Sequence, residues 1–224
     1  MPEKFTVIIY SNLKNTIDMV SKTLAGSSYG VAGITDSFIN TRTLLSQYAP
    51  EVLIIHLNID CEETNMFVHR LKAVSPRTKI LVVQKQCDGN TIFDAIRAGA
   101  DVFIPDDLGL DGLLDILDTL LADEIYLSTF VARSLLERNR QESVSPTEFP
   151  FTLTDKEEQI LTAFANGSCL SEIADDLDIS DEMVRAYANN VLQKIHFVDI
   201  ARKQYEEIMS GLSGFRSTFQ APFK

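Results

Sequence analysis

The sequence predicts a doubly wound α/β domain followed by an all-α domain that contains a helix-turn-helix. Apolar strand patterns alternate five times with helical patterns over residues 1–124, and this alternation is typical of a parallel sheet with helices on both faces. Residues 137–150 are polar, contain two prolines and show no periodicity, as in a linker. Three short helical patterns then follow one another within residues 153–197.

The α/β domain is predicted from apolar runs and helical periodicity. The run Val52 to Leu57 is apolar at nearly every position, which indicates a strand buried on both faces. The inward positions of the second and third helical patterns include Leu44, Leu45, Tyr48, Met66, Phe67, Leu71 and Val74. The strand patterns lie at residues 5–10, 30–35, 52–57, 79–83 and 101–105. The helical patterns lie at residues 14–25, 39–48, 64–74, 91–98 and 111–121.

The all-α domain is predicted to begin with three helices separated by turn signals. The first, Lys156 to Ala165, is ended by Asn166-Gly167, and the second is Leu170 to Leu177. The third begins at the N-cap Ser180. Its buried stripe is expected to be Met183, Val184, Tyr187, Val191, Leu192 and Ile195. A fourth helix is expected from Asp199 to Leu212.

Several short runs of this domain match a known family. They are Leu153-Thr154, Gln159-Ile160-Leu161, Ala165-Asn166-Gly167-Ser168, Glu172-Ile173-Ala174, Leu177, Ile179-Ser180, Val184-Arg185 and Lys194-Ile195. The pattern resembles the LuxR-type helix-turn-helix, and the resemblance implies a four-helix module whose third helix docks in the DNA major groove. Arg185 stands where that family usually has a DNA-contacting Lys. Tyr187 and Cys169-Leu170 depart from the residue types that are usual there.

The first domain resembles the receiver domain of response regulators, a flavodoxin-like fold of five parallel strands in the order 2-1-3-4-5. The run Ala95 to Asp101 is the strongest local match. The segment Ile125-Tyr126-Leu127-Ser128, with Val131-Ala132 and Leu135-Leu136, looks like the exit helix and linker of NarL/FixJ-type regulators. The expected organisation is therefore a receiver-like domain at 1–124, an exit helix and linker at 125–150, a helix-turn-helix domain at 151–212 and a flexible tail at 213–224.

The resemblance implies a phosphorylation site at the strand ends, and this chain departs from it at every position. A receiver needs acids after the first strand, an Asp after the third, a Thr or Ser after the fourth and a Lys after the fifth. The residues found there are Ser11, Asn12, His56, Gln84 and Asp106. Asp60 and Glu62-Glu63 are expected on the following loop. We therefore interpret the domain as a degenerate pseudo-receiver that does not carry out Mg²⁺-dependent phosphorylation.

Composition limits the function further. The net charge is −12, and residues 151–210 contain five basic and twelve acidic residues, which is unfavourable for contact with phosphates. The three cysteines are far apart, no signal peptide is visible, and no apolar run reaches the length of a membrane span. We expect a cytoplasmic protein without cofactor or metal, and not an enzyme.

DNA contact is expected on the third helix, from Asp181 to Lys194. The candidate DNA-binding residues are Glu182, Arg185, Asn189, Asn190 and Gln193, with Lys194 on a phosphate. The fourth helix either dimerises through Tyr205, Ile208 and Met209 or only covers the core. The function predicted is a phosphorylation-independent transcription regulator that binds double-stranded promoter DNA as a homodimer, without membrane contact. Two alternatives stay open: an adaptor or antagonist that forms a heterodimer with another regulator, and a sensor that binds a small molecule in the receiver crevice.

Overall fold

The computed structural model describes residues 5–57, 59, 61–84, 89–105, 112–122, 127–140 and 152–195. Its strands are β1 (Phe5–Ser11), β2 (Tyr29–Thr35), β3 (Val52–His56), β4 (Lys79–Gln84) and β5 (Val102–Pro105). Its helices are α1 (Lys14–Leu24), α2 (Phe38–Tyr48), α3 (Cys61–Val74), α4 (Gly89–Ala98), α5 (Leu113–Leu121), α6 (Thr129–Arg140), α7 (Asp155–Ala165), α8 (Leu170–Leu177) and α9 (residues 181–195).

The five strands form one parallel sheet in the order β2-β1-β3-β4-β5. This confirms the predicted fold class and strand order. Every residue of β3 is buried, because β3 is central and helices cover both faces of the sheet. Side chains of α1 and α5 pack on one face, and side chains of α2, α3 and α4 pack on the other.

Helix α6 connects the two domains through a shared core. Its buried side chains Val131 and Leu135 belong to the same apolar cluster as Ile92 of α4 and Leu161 of α7. The guanidinium of Arg138 lies over the ring of Phe93 in α4, 5.4 Å from its centroid, which is within range of a cation–π contact. On the other side, Arg133 Nε donates a 2.9 Å hydrogen bond to the Ala165 carbonyl at the end of α7. The two domains are therefore packed together through this helix.

The helix-turn-helix begins where the sequence predicted. Thr154 caps α7 in a reciprocal capping box with Glu157, and Gly167 ends it with a φ of 92° that a residue with a side chain rarely adopts. The Cys169 N–H donates to Glu172 Oε2 at 2.8 Å at the start of α8. Asp178, with a φ of 52°, then turns the chain into α9.

Three residues expected to face inward are exposed instead. Tyr48, Met66 and Met183 are exposed in α2, α3 and α9 respectively. Tyr48 is the last residue of α2, so the helix ends before this side chain is covered. Met66 lies opposite the side of α3 that Val68 and Leu71 bury, and Met183 lies on the flank of the buried stripe of α9. In α9 the buried stripe includes Ala188, which the sequence analysis left out, and not Met183.

Two boundaries also differ from the expectation. Helix α3 begins at Cys61, so Glu62 and Glu63 lie in its first turn and not on a loop. Helix α6 continues to Arg140, so the segment predicted as a linker from Glu137 begins inside a helix. No helix in the described part of the chain is both long enough and apolar enough to cross a membrane. The predicted fourth helix and tail, with Tyr205, Ile208 and Met209, lie outside the described residues, as do Asp60 and Asp106.

Candidate nucleic-acid interface and strand-end crevice

Helix α9 is anchored along one face. Val184, Ala188, Val191 and Ile195 are buried, and their spacing of four, three and four residues places them on one side of a helix. Val184 packs with Ile160 and the α8 core, whereas Val191 and Ile195 belong to the cluster that includes α6. The outward face of α9 is thus held in a defined orientation relative to both α8 and α6.

The outward face of α9 is polar. With 3.6 residues per turn, Glu182, Ala186, Asn189 and Gln193 form a strip opposite the buried stripe, and all four are exposed. Arg185 lies on one flank of this strip, and exposed Met183 and Asn190 lie on the other. The helix thus brings together five of the six candidate DNA-binding residues on one exposed face, with amide, carboxylate and guanidinium groups that can bind base edges.

The N-terminal turn of α9 holds a charged pair. The Met183 N–H donates to Ser180 Oγ at 3.3 Å, so Ser180 is the N-cap that the sequence predicted. The pKa of Glu182 is lowered by a hydrogen bond from its own backbone N–H, by one from the Ser180 hydroxyl and by the charge of Arg185. Glu182 is therefore an ionised acid at the end of α9 where recognition helices contact base edges.

Lys194, the sixth candidate, has protein partners. Its Nζ donates to Glu157 Oε2 at 2.6 Å and to the Thr152 carbonyl at 3.2 Å. Glu157 is buried, and its Oε2 also accepts from the Thr154 N–H at 2.7 Å. Burial raises the pKa of Glu157, but the hydrogen bonds from Lys194 and Thr154 lower it by more. The contact on a DNA phosphate stays a prediction, and the structure adds an ion pair that joins α9 to α7.

The position of the Glu157 side chain has a signal in the sequence. Thr154 and Glu157 form the pattern of Ser or Thr followed three residues later by Glu, which marks a capping box. That pattern predicts a carboxylate turned back over the start of the helix. The partner on α9 could not be found this way, because Lys194 is 37 residues farther along the chain.

The strand ends of the α/β domain bring three of the predicted receiver positions to one edge of the sheet. Ser11 pairs in register with His56, and Gln84 ends the neighbouring strand β4. All three side chains are buried. Asn12 follows Ser11 and is exposed. Because parallel strands end at the same edge, this is the crevice where doubly wound folds bind ligands.

The three buried groups at this edge are held by hydrogen bonds to neighbouring residues. His56 Nδ1 and Thr16 Oγ1 of α1 are hydrogen-bonded at 2.8 Å. The Leu13 N–H donates to Ser11 Oγ at 3.1 Å, and Gln84 Nε2 donates to the Ile59 carbonyl at 3.4 Å. Ser11 and His56 bring a hydroxyl and an imidazole where a receiver has carboxylates, and Gln84 brings an amide where it has a Thr or Ser. A cavity of about 430 Å³ opens beside them and is lined by Asn12, Lys14 and His56, among others.

The chain is similar to known proteins over both parts. Residues 151–201 match the bacterial regulatory proteins of the luxR family. A nitrate/nitrite response regulator protein homolog of Haemophilus influenzae is 31% identical over 150 residues, which are 67% of this chain and 70% of that protein. The oxygen regulatory protein NreC of Staphylococcus carnosus is 27% identical over 155 residues, which are 67% of this chain and 71% of that protein.

Solved structures share the fold at lower identity. RcsB of Salmonella typhimurium superposes with a TM-score of 0.54 at 19% identity, over 92% of this chain and 99% of that one. A structure of two RcsB dimers bound to two parallel DNAs gives a TM-score of 0.54 at 18% identity, over 86% of this chain and 92% of that one. Both superpositions extend over most of each chain, so the same order of the two domains is found in other proteins of similar length.

Proposed function

This chain belongs to the bacterial response regulators that end in a LuxR-family helix-turn-helix domain, and we propose that it binds double-stranded promoter DNA as a homodimer through the outward face of α9. The observation that carries this proposal is the exposed strip of Glu182, Ala186, Asn189 and Gln193 with Arg185 on its flank. Asn and Gln side chains pair with adenine, and Arg pairs with guanine, in the major groove. RcsB, which shares the fold, is bound to DNA as dimers in its solved complex.

A homodimer would compensate for the small number of basic residues in the DNA-binding domain. Residues 151–210 carry seven more acidic than basic residues, so one copy neutralises few phosphates. Two copies that bind adjacent half-sites double the number of contacts. We therefore expect the affinity for DNA to depend strongly on dimerisation. The salt dependence of binding should be shallow, on the order of a few phosphates per protomer.

The well-separated cysteines are consistent with a reducing cytoplasm.

We propose further that the α/β domain acts without phosphorylation. Acyl phosphate formation requires a carboxylate as nucleophile, and the end of β3 carries His56, whose Nδ1 is engaged by Thr16. Ser11 and Asn12 stand where carboxylates would hold Mg²⁺. The buried hydrogen bonds at this edge support a constitutive structural role for the α/β domain. In this role it holds the DNA-binding domain in place through α6.

Substitution of Arg185 tests the DNA-binding proposal. A binding site is first selected from random DNA with the full chain, and gel shifts then compare the parent with Arg185→Ala. We expect a loss of about 1–3 kcal/mol and relaxed specificity at one base pair, as for a guanidinium that reads a guanine. Lys156→Ala is the matched control, because Lys156 is an exposed cation in the first turn of α7 and does not belong to the α9 strip.

Two outcomes would contradict the proposal and favour the alternatives. If a folded Arg185→Ala protein binds the selected site as tightly as the parent, α9 is not the element that reads DNA. If the full chain selects no DNA at low salt, the adaptor or antagonist that pairs with another regulator becomes the better account, because an acidic domain suits a protein partner. The cavity beside His56 would then be tested for a small molecule.

A further inference from the structure

Strand β2 lies at the edge of the sheet and lacks two of the features that usually protect an edge strand. It has a single neighbour, β1, among the strands of the described chain. Its seven residues, YGVAGIT, include neither a charged residue nor a proline. Edge strands are usually shielded by charges, prolines, β-bulges or covering elements, because their free N–H and C=O groups can pair with another strand. Of these, β2 has a bulge but neither a charge nor a proline. The edge of β2 is therefore suited to pairing.

An irregularity in β2 turns two apolar side chains to the same side. Val7 pairs with Val31, and Ile9 pairs with Ile34, so Ala32 is an extra residue with no partner in β1. Val7 and Ile9 both point into the core under α1 and α5, and Val31 and Ile34 consequently share that face. A bulge of this kind re-aims side chains. Val31 and Ile34 are 36% and 46% exposed there.

A groove runs between this edge and α1. Its volume is about 580 Å³, and its walls are Leu24, Ala25 and Gly26 at the end of α1 and the β2 segment from Tyr29 to Ile34. The opposite face of β2 is filled, since a Cβ on Gly33 would lie 2.8 Å from Leu44 Cδ1 of α2. The open, apolar side of β2 is thus the side that carries Val31 and Ile34.

Electrostatics favours a second copy of this chain at that edge. The whole chain has a net charge of −12, whereas residues 5–50 contain three basic and two acidic residues. Two copies of an acidic protein repel one another least where their facing surfaces carry no net negative charge. The α4 side of the sheet is already covered by α6 through Phe93 and Arg138, so it is not free for such a contact.

We propose that two copies of the chain associate through the β2 edge, with the two β2 strands antiparallel and a two-fold axis near Ala32. A two-fold axis requires the same patch on both copies and places paired edge strands antiparallel. Gly30, Ala32 and Gly33 allow the backbones to approach, and Val31 and Ile34 enter the groove of the opposite copy. This surface rests on the homodimer proposed above and assigns the contact to the α/β domain.

Light scattering on the full chain without DNA tests this surface. The parent should have twice the chain mass of 25.0 kDa at micromolar concentration, and Ile34→Lys should weaken the dimer about tenfold or more, because an edge lysine blocks strand pairing. Met66→Lys is the matched control: Met66 is 48% exposed on α3, away from β2, and its replacement adds the same charge. Circular dichroism confirms that both variants are folded.

A cross-link provides a second readout that does not depend on a disruptive substitution. Directly opposed residues of antiparallel strands have Cα atoms about 4.5–5.5 Å apart, which is within disulfide range. Oxidised Ala32→Cys should therefore run as a covalent dimer, whereas the parent and Met66→Cys should not. A monomeric parent, equal effects of Ile34→Lys and Met66→Lys, or no Ala32→Cys cross-link each overturns the proposal. If the parent is a dimer but binds no DNA, the proposal that α9 reads DNA fails, whereas the β2 contact stands.

Discussion

At the scale of single residues, the contact between Glu157 and Lys194 organises the helix-turn-helix. The Glu157 carboxylate is buried and receives hydrogen bonds from Thr154 at the start of α7 and from Lys194 near the end of α9. A buried carboxylate without a partner is costly, so both contacts are needed once Glu157 is inside. The pair therefore ties the far end of α9 to the beginning of the domain.

Replacing Lys194 should destabilise the protein in a pH-dependent way. For Lys194→Met we expect a loss of about 1–2 kcal/mol in the free energy of unfolding near neutral pH, at the lower end for a charged hydrogen bond because Lys194 is 37% exposed and screened. The pKa of Glu157 is lowered in the folded state. The contribution is therefore complete above the unfolded-state pKa of about 4.3 and is lost as the pH falls through the lower folded-state pKa.

Urea unfolding at a series of pH values measures this effect. The gap between parent and Lys194→Met should narrow below about pH 4, and Lys156→Met, which removes an exposed lysine of α7, should show no such gap. A difference that stays constant down to the acid limit would mean that Lys194 acts through packing alone. DNA affinity of Lys194→Met must be compared at a temperature where both proteins are folded.

Glu182 is expected to set a base preference. An ionised carboxylate repels phosphates, but it accepts a hydrogen bond from the N4 amine of cytosine. We therefore expect one position of the selected site to require cytosine and Glu182→Gln to lose this preference while binding unrelated DNA more tightly. Competition gel shifts with that base pair changed measure both effects, with Glu158→Gln as a control for the charge. An unchanged cytosine requirement would exclude Glu182 as its cause.

At the scale of elements, α6 decides how the two domains are joined. It is buried on two sides, against α4 of the α/β domain and against α7 of the helix-turn-helix. Polar contacts support both sides, through Arg138 on Phe93 and through Arg133 on the Ala165 carbonyl. A helix that belongs to both cores fixes the orientation of one domain relative to the other, since protein interiors are close-packed and have low compressibility.

Shortening a buried side chain of α6 should weaken both domains together. Leu135 is completely buried, so Leu135→Ala should cost about 2–5 kcal/mol. We expect the parent to unfold in one calorimetric transition and Leu135→Ala to unfold in two, because the shared core is weakened at its centre. Glu137→Ala, an exposed change on the same helix, should leave the transition unchanged. Two separate transitions in the parent would show that α6 does not couple the domains.

At the scale of the whole molecule, the fold retains the receiver architecture while its crevice carries different groups. Ser11, His56 and Gln84 are buried where parallel strands end, and hydrogen bonds to Leu13, Thr16 and Ile59 hold them. The described positions at this edge thus carry a hydroxyl, an imidazole and an amide in place of the groups that the resemblance to receivers implies. The regulatory input of such a domain would arise from association, as at the β2 edge, or from a ligand in the cavity.

Incubation with a phosphate donor should therefore leave the protein unmodified. With acetyl phosphate and Mg²⁺, intact mass spectrometry should detect the parent mass alone, because the described strand ends offer no carboxylate as acceptor at residues 11, 56 and 84. DNA affinity and the dimer mass should likewise not change on incubation. A stoichiometric phosphate adduct that disappears in His56→Ala would contradict this expectation and identify the imidazole as an acceptor.

The sequence by itself determined the order and type of the secondary elements. Alternation of apolar runs with helical periodicity was sufficient for a parallel sheet, and the topology 2-1-3-4-5 followed from the resemblance to receivers. The helix-turn-helix was found from Ser180, Asn166-Gly167 and the spacing of apolar residues, all of which are local signals. Local signals suffice there because caps and amphipathic faces are decided within one or two turns.

Only the tertiary structure decided which faces are covered. Periodicity placed Tyr48, Met66 and Met183 inward, but all three side chains are exposed among the described residues. The partnership of Lys194 with Glu157 and the burial of α6 between two domains likewise join residues far apart in sequence. A sequence pattern states that a side chain is apolar or charged, whereas its environment is set by the packing of elements that the pattern does not position.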